Sequence, residues 1–216
     1  MSGKKIFPGV YKINGRLATR NSSPGFKVYD EKLIFDKGVE YREWDPFRSK
    51  LAAAILKGMS QFPITEHSRV LYLGASSGTT ASHVADITGD VVYCVEYAKR
   101  MMRELLYVCE RKRNMIPILG DANLPATFAR NIGRVEVVYQ DVAQKNQTEI
   151  FVKNMRSFKA EAGLYAIKAR SINCIESPKK VFREEVAKLK EEFTVLDEIE
   201  LSPYDKDHIL VNVRVK

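Results

Sequence analysis

From about Pro46 onward, apolar runs alternate with amphipathic segments along the chain. FRSKLAAAILKGM is rich in Ala and Leu and predicts a helix ending at Gly58. VLYLG (70–74) is a short strand without polar positions; TTASHVADI then opens a helix, and VVYCVEY (91–97) is a second strand. AKRMMRELLYVCERKRN (98–114) predicts a long amphipathic helix, followed by MIPILGDA (115–122), VEVVYQDVA (135–143), a helix near 147–158 and GLYAIKA (163–169). Strands that are apolar throughout, joined by helices, indicate a parallel sheet covered on both faces, with right-handed crossovers between strands.

The two ends of the chain depart from this rhythm. After a helix at KKVFREEVAKLKEEF (179–193), TVLDEIELS (194–202) and HILVNVRVK (208–216) are alternating strands joined by PYDKD. That turn is too short for a parallel crossover, so the two strands must be antiparallel. A mostly parallel α/β sheet closed by an antiparallel hairpin resembles the Rossmann-like methyltransferase fold. At the other end, VYKINGRLATRN carries Asn14-Gly15 between alternating segments, a hairpin signal because both central residues must reach positive φ. FKVYDEKLIFDKGVEYREWD adds short β-like runs separated by Asp30-Glu31 and Lys37-Gly38. Residues 1–48 are therefore expected to form a small N-terminal antiparallel β domain, packed on a Rossmann-like domain of residues 49–216.

Composition narrows the setting. A hydrophobic fraction of 45% in 216 residues is that of a globular chain, and the net charge of +8 favours a polyanionic partner. Cys94, Cys109 and Cys174 form no CxxC pair, which argues against a disulfide framework or a zinc site and for a reducing compartment. No metal site is expected. No run approaches 18 apolar residues and MSGKKIFPGVYK has no signal-peptide core, so a soluble, cytoplasmic protein with no membrane partner is expected.

The loop after VLYL reads GASSGTT. A P-loop needs GxxxxGK[ST], and the lysine is missing; the GxGxxG dinucleotide fingerprint is missing as well. A tight strand-to-helix turn capped by Thr79 would account for the glycines alone. Glu96, however, ends the next strand, where a carboxylate can accept from both hydroxyls of a ribose. Gly120-Asp121-Ala122 follows the third strand and could set a carboxylate against an adenine amino group, and Asp141-Val142-Ala143-Gln144 follows the fourth. Such groups converge where open α/β sheets bind ligands. An adenosine-bearing ligand without phosphates is S-adenosylmethionine.

At this point the residues match a known family. WDPFRSKLAAAI (44–55), YLGASSGTTASHVADI (72–87), VEYAKRMMRELL (95–106), PILGDANLP (117–125), YQDVAQKNQ (139–147), AIKARSI (166–172) and YDKDH (204–208) resemble fibrillarin. The resemblance spans nearly the whole chain and is closest to the short archaeal form, since no Gly/Arg-rich tail precedes the β unit. It implies an enzyme that methylates the ribose 2′-oxygen of rRNA, with tRNA as a further substrate, as the catalytic subunit of a C/D box guide ribonucleoprotein.

Methyl transfer from a sulfonium leaves the protein to position the hydroxyl and handle its proton. Lys168, inside the apolar strand AIKA, is the leading candidate, because burial draws a lysine towards proton-accepting behaviour. Asp141 is well placed to pair with it, which orients the lysine but opposes that shift, so base and electrostatic roles are not separable here. The family's Lys-Asp-Lys-His constellation falls on Lys50, Asp141, Lys168 and His208. Without the resemblance, Lys50 reads as a solvated helix lysine and His208 as a turn histidine. His83 is expected to help hold the cofactor loop. For the cofactor, Gly74, Ala75, Thr79 and Thr80 are assigned to the methionine end, Glu96 to the ribose and Tyr97 to the adenosine face. Asp121 and Ala122 are assigned to the adenine, and Asp141, Val142, Ala143 and Gln144 to the loop beside the amino-acid portion.

Residues 1–50 hold eleven Lys/Arg against six Asp/Glu, and 99–113 hold six against two. Basic faces position RNA without reading its sequence, and no sequence-reading module is present. Delegation of target choice to a C/D box guide RNA fits this, and the resemblance implies two further partners: a scaffold of the nucleolar-protein family and a small kink-turn-binding ribosomal-like protein. Phe7, Tyr11, Trp44 and Phe47 are candidates either for the scaffold surface or for the β unit's own core. A stand-alone methyltransferase acting on another RNA or a small hydroxyl compound, and a non-catalytic subunit of an RNA complex, are the competing readings.

Overall fold

The computed structural model describes residues 3–216; Met1 and Ser2 of the expected β domain lie outside the described residues. Strands β1 (Lys4–Phe7), β2 (Val10–Ile13), β3 (Arg16–Arg20), β4 (Leu33–Asp36) and β5 (Val39–Glu43) form an antiparallel sheet in the order β1-β2-β3-β5-β4. Two of its turns are Asn14-Gly15, with φ of 49° and 82°, and Lys37-Gly38, with φ of 49° and 80°. Positive φ at both central positions matches the twist of the flanking strands. FKVY (26–29) is not a strand. Its last two amides donate to the Glu31 carboxylate, Val28 N at 3.0 Å and Tyr29 N at 2.8 Å, and Asp30 turns the chain at φ 63°. A carboxylate that captures successive amides removes them from any ladder.

The second sheet holds β6 (Val70–Leu73), β7 (Val92–Glu96), β8 (Met115–Leu119), β9 (Val137–Gln140), β10 (Ala162–Lys168), β11 (Phe193–Glu200) and β12 (His208–Val215), in the order β11-β12-β10-β9-β6-β7-β8. The β6–β7, β7–β8, β6–β9 and β9–β10 pairings are parallel, whereas β12 runs antiparallel to both β10 and β11. The expected closing hairpin is present, and its second strand is inserted between β10 and the first. Helices α1 (Lys50–Leu56), α2 (Thr79–Ile87), α3 (Lys99–Arg111), α4 (Gln147–Phe158), α5 (Ala169–Ile172) and α6 (Pro178–Glu192) complete the chain's main elements. Every residue of β6 is buried, and the period of two sends its side chains into two different cores: Val70 and Tyr72 into one, Leu71 and Leu73 into the other. The first core takes in Leu51 of α1, Val84 of α2 and Trp44 from the end of the N-terminal sheet; the second takes in Phe151 of α4 and Val186 of α6. No helix of the described residues is long and apolar enough to cross a membrane.

A buried ion network locks the N-terminal sheet to α2 and α3. The Arg42 guanidinium lies 2.6 Å from Glu31 and 2.8 Å from Asp86, and Lys112 pairs with the other oxygen of Asp86; all four side chains are fully buried. His83 belongs to the same layer. Thr19 Oγ1 donates to Asp86 at 3.1 Å, which spends its only proton, so it accepts from His83 Nδ1 at 2.8 Å, and Nε2 is left to accept from the Tyr29 hydroxyl at 2.7 Å. The ring also stacks on Trp44, with centroids 5.0 Å apart. Burial, with the Arg42 and Lys112 charges, holds its pKa well below the usual value, so the ring stays neutral. His83 thus joins helix α2 to the N-terminal sheet rather than to the glycine loop.

The network gives stability a definite pH dependence. Burial pushes the Glu31 carboxyl up, but Arg42 and the amides of Tyr29 and Val28 outweigh it and hold the group below its ordinary 4.5. A pKa lower in the folded than in the unfolded chain adds stability above the unfolded value, which is lost as the pH falls through the folded one. Melting temperature should therefore drop on acidification below about pH 4.5, and Glu31→Gln should flatten that drop. Scans between neutral and acid pH check this; parallel curves for the two proteins would count against it.

Candidate active site

The carboxyl ends of β6, β7, β8, β9 and β10 open on a cleft of about 310 Å³. Its walls include Gly74 and Ser76 after β6, Glu96, Tyr97 and Ala98 after β7, Gly120, Asp121, Ala122 and Asn123 after β8, Asp141, Val142, Ala143 and Gln144 after β9, and Lys168 at the end of β10. Gly74 is required at its place: φ is 78°, and a Cβ there would lie 3.0 Å from the Asp141 carbonyl oxygen. Glu96 is almost fully buried, and each of its oxygens accepts one backbone amide, Ser76 N at 2.8 Å and Ala98 N at 2.7 Å. The carboxylate is fixed by amides that follow two neighbouring strands, β6 and β7, and keeps further lone pairs for a ligand. Asp121 Oδ1 accepts from Asn123 N at 2.8 Å and Asn123 Nδ2 at 3.0 Å. Tyr97 stands at the mouth, 71% exposed.

Five of the residues assigned from the sequence to catalysis or cofactor binding do not line this cleft: Lys50, Ala75, Thr79, Thr80 and His208. Thr80 is buried, and its hydroxyl donates to Ser49 Oγ at 3.0 Å. Ser49 in turn caps α1, accepting from Ala52 N. The hydroxyl of Thr80 therefore orders the start of the helix that carries Lys50. Thr79 is the first residue of α2, behind Gly78 at φ 90°.

Beside the cleft, four charged groups meet. Lys168 Nζ lies 2.8 Å from Asp141 Oδ1 and donates to the Asp141 carbonyl, also at 2.8 Å. Lys50 Nζ lies 3.3 Å from Asp141 Oδ1 and 3.3 Å from Asp205 Oδ2. Asp205 Oδ1 lies 2.7 Å from His208 Nδ1. Local structure brings them together: Lys50 is the first residue of a capped helix, Asp141 follows β9, and the β10–β12 ladder sets Lys168 directly opposite His208. Burial draws the Lys50 pKa down, but Asp141 and Asp205 outweigh it and hold the group above the usual lysine value. For Asp205, burial pushes up, while His208 and Lys50 pull further down and keep its carboxyl below the ordinary range. Two ammonium groups and two carboxylates thus neutralise one another at the rim. Asp205 was not singled out from sequence, although it sits three residues before His208 inside YDKDH; that spacing was the available signal. Ser76 and Asn123 were missed too, because each acts by orienting a carboxylate.

The basic clusters counted along the sequence are partly interior. Arg42 and Lys112 are buried in the ion network, whereas Lys99, Arg100, Arg103, Arg111 and Arg113 are exposed along and just beyond α3. Of the four aromatic residues considered for an interface, Trp44 is fully buried, Phe7 stacks on Phe62, Tyr11 meets Tyr41, and only Phe47 is largely exposed, at 69%, edge-on to Tyr204.

The family model named Fibrillarin matches residues 1–216. The chain is 53% identical over 214 residues to the fibrillarin-like rRNA/tRNA 2′-O-methyltransferase of Methanothermobacter thermautotrophicus, covering 97% of this chain and 96% of that one. Among solved structures it is similar to Aeropyrum pernix fibrillarin in complex with natively bound S-adenosyl-L-methionine, with a TM-score of 0.88 and 42% identity over 98% of this chain and 96% of the other. A fibrillarin/Nop5p complex gives a TM-score of 0.91 at 39% identity, over 99% of this chain and all (100%) of that one.

Proposed function

The chain belongs to the fibrillarin family, and from that premise we propose that it methylates ribose 2′-hydroxyls of rRNA and tRNA, using S-adenosylmethionine, as the catalytic subunit of a C/D box guide ribonucleoprotein in the cytoplasm. The observation that carries this reading is the joining of the cleft at the strand ends to the Lys50–Asp141–Lys168 cluster through Asp141 and Lys168, which belong to both.

The chemistry of the cleft suits the cofactor. Three carboxylates, Glu96, Asp121 and Asp141, line it, and its single lysine is engaged by Asp141. That donor set disfavours a di- or triphosphate and favours a ligand with vicinal hydroxyls, an amino-bearing base and positive charge. Glu96 would hold the ribose hydroxyls, Asp121 and Ala122 the adenine, and the loop from Asp141 to Gln144 the amino-acid end. Gly74, Ala75, Thr79 and Thr80 would hold the methionine end through the loop and the first turn of α2, where backbone amides suit a carboxylate. When bound, S-adenosylmethionine supplies an activated methyl group whose carbon–sulfur bond breaks with its electrons kept by sulfur. Lys168 and Lys50, fixed by Asp141, would present positive charge to the hydroxyl oxygen as negative charge grows on it. The exposed arginines of α3 would contact phosphates without reading bases.

A guide RNA would then choose the target. The Nop5p-type scaffold of the related complex and a kink-turn-binding protein are the protein partners of this reading, with residues 1–48 as a domain appended to the methyltransferase domain of residues 49–216. Calorimetry tests the cofactor half. Hydrogen bonds to a charged partner are worth about 1.5–3 kcal/mol, so Glu96→Ala should weaken S-adenosylmethionine binding about 10- to 100-fold. An unchanged Kd would remove Glu96 from the site.

A further inference from the structure

The closing turn contains a second pairing that the four-residue constellation leaves out. His208 Nδ1 faces two acceptors, the Asp205 carboxylate at 2.7 Å and the Lys206 carbonyl oxygen at 2.6 Å. A nitrogen that faces a carboxylate and a carbonyl must carry a proton, so in the neutral ring Nε2 holds the lone pair. We propose that His208 Nε2 takes the proton of the reacting hydroxyl, and that Asp205 is the positioning residue that sets the tautomer and orientation of His208. The proposal rests on the reading of the site as a ribose methyltransferase centre.

The lysines are poorly suited to the same task. Lys168 Nζ lies against two Asp141 oxygens, both at 2.8 Å. Lys50 is clasped between two carboxylates, each 3.3 Å away. An ammonium so engaged has no lone pair and acts through its charge. The Asp141 and Asp205 carboxylates are each paired with lysine, so the imidazole is the nitrogen base of the cluster that keeps a lone pair, and the β10–β12 register sets its residue opposite Lys168. A carboxylate on the far nitrogen also stabilises the imidazolium that forms.

In the step itself, the hydroxyl proton passes to His208 Nε2 while the oxygen keeps the electron pair with which it takes up the methyl carbon of the sulfonium donor. The imidazolium then gives its proton to water. The charged groups around the ring are Asp205 on its own turn, Lys50 behind Asp205, Lys168 across the ladder, and Asp207, which pairs with Arg170 at 3.0 Å.

Two measurements on the full chain test the proposal. With three histidines in the chain, 15N-labelled histidine spectra can be assigned by subtraction against His208→Gln. The expected neutral His208 ring is protonated at Nδ1, and Asp205→Ala, which leaves the Lys206 carbonyl alone on that nitrogen, lowers the share of this form. In the complex reconstituted with guide RNA and partner proteins, single-turnover methylation should fall about 100-fold in both His208→Gln and Asp205→Ala, with KM for target RNA and Kd for S-adenosylmethionine unchanged. Asp205→Glu, which keeps a carboxylate within reach of the ring, should restore most of the rate. An Nε2-protonated ring in the parent chain, or a full rate in His208→Gln, would overturn the proposal. A loss in Asp205→Ala that Glu does not rescue would overturn the positioning role. Absence of ribose methylation in the parent complex would instead overturn the proposed function, and the tautomer result would still decide the Asp205–His208 geometry.

Discussion

Lys168→Ala should lower the methylation rate of the reconstituted complex by about 10²–10³-fold, the loss that follows when one preorganised charge is removed from a developing oxyanion. The reason lies in how the ammonium is held. It touches both the backbone and the carboxylate of Asp141 at 2.8 Å, so its position is set before any substrate arrives. Binding of target RNA and of S-adenosylmethionine should change little, because the adenosine contacts of the proposed site come from other walls of the cleft. Lys168→Arg should not restore the rate: a planar guanidinium cannot occupy the site of a compact ammonium between those two oxygens. A rate equal to that of the parent chain would remove Lys168 from the machinery.

The second large effect should appear in stability. Asp86 accepts from Arg42 Nη1 at 2.8 Å and from Thr19 at 3.1 Å, and it pairs with Lys112; its other contacts are Ser22 N at 3.0 Å and Ser22 Oγ at 2.6 Å. Replacing it by Ala would leave an arginine and a lysine buried with one neighbouring carboxylate, Glu31, between them. Breaking a buried pair on one side destabilises by about 3–5 kcal/mol. In a chain of this size that is a fall in melting temperature of roughly 6–20 °C. Replacing the whole network with apolar residues of similar volume should be far milder, since the charges would then no longer be stranded. A fall of less than about 2 °C in Asp86→Ala would mean that water reaches the network.

How much of this could be read along the chain depended on the range of each signal. Local signals carried well: Asn14-Gly15 and Lys37-Gly38 mark their turns by backbone demand alone, α2 begins at the first threonine of TTASHVADI, and α4 spans the expected 147–158. The cleft was legible because its residues lie just past the ends of successive strands, a position that topology assigns without distances. What escaped needed three dimensions. FKVY has a strand's composition, but Glu31 takes its amides. Arg42, Asp86 and Lys112 look like ordinary surface charges until the sheet, α2 and α3 close over them. The Thr80 hydroxyl is committed to the cap of α1, a partner that only the fold supplies. Asp205 reads as a solvated turn acid; its roles towards Lys50 and His208 exist only because β12 enters between β10 and β11.

Locating the transferred methyl group in the product is the most direct test of the central claim. The full chain, guide RNA, scaffold and kink-turn-binding protein would be incubated with target RNA and methyl-labelled S-adenosylmethionine, and the product digested to nucleosides. Label is expected on a single 2′-O-methylated ribose opposite the guide, absent when the guide is omitted and moved when the guide sequence is changed. Label on a base, or ribose methylation indifferent to the guide, would contradict it.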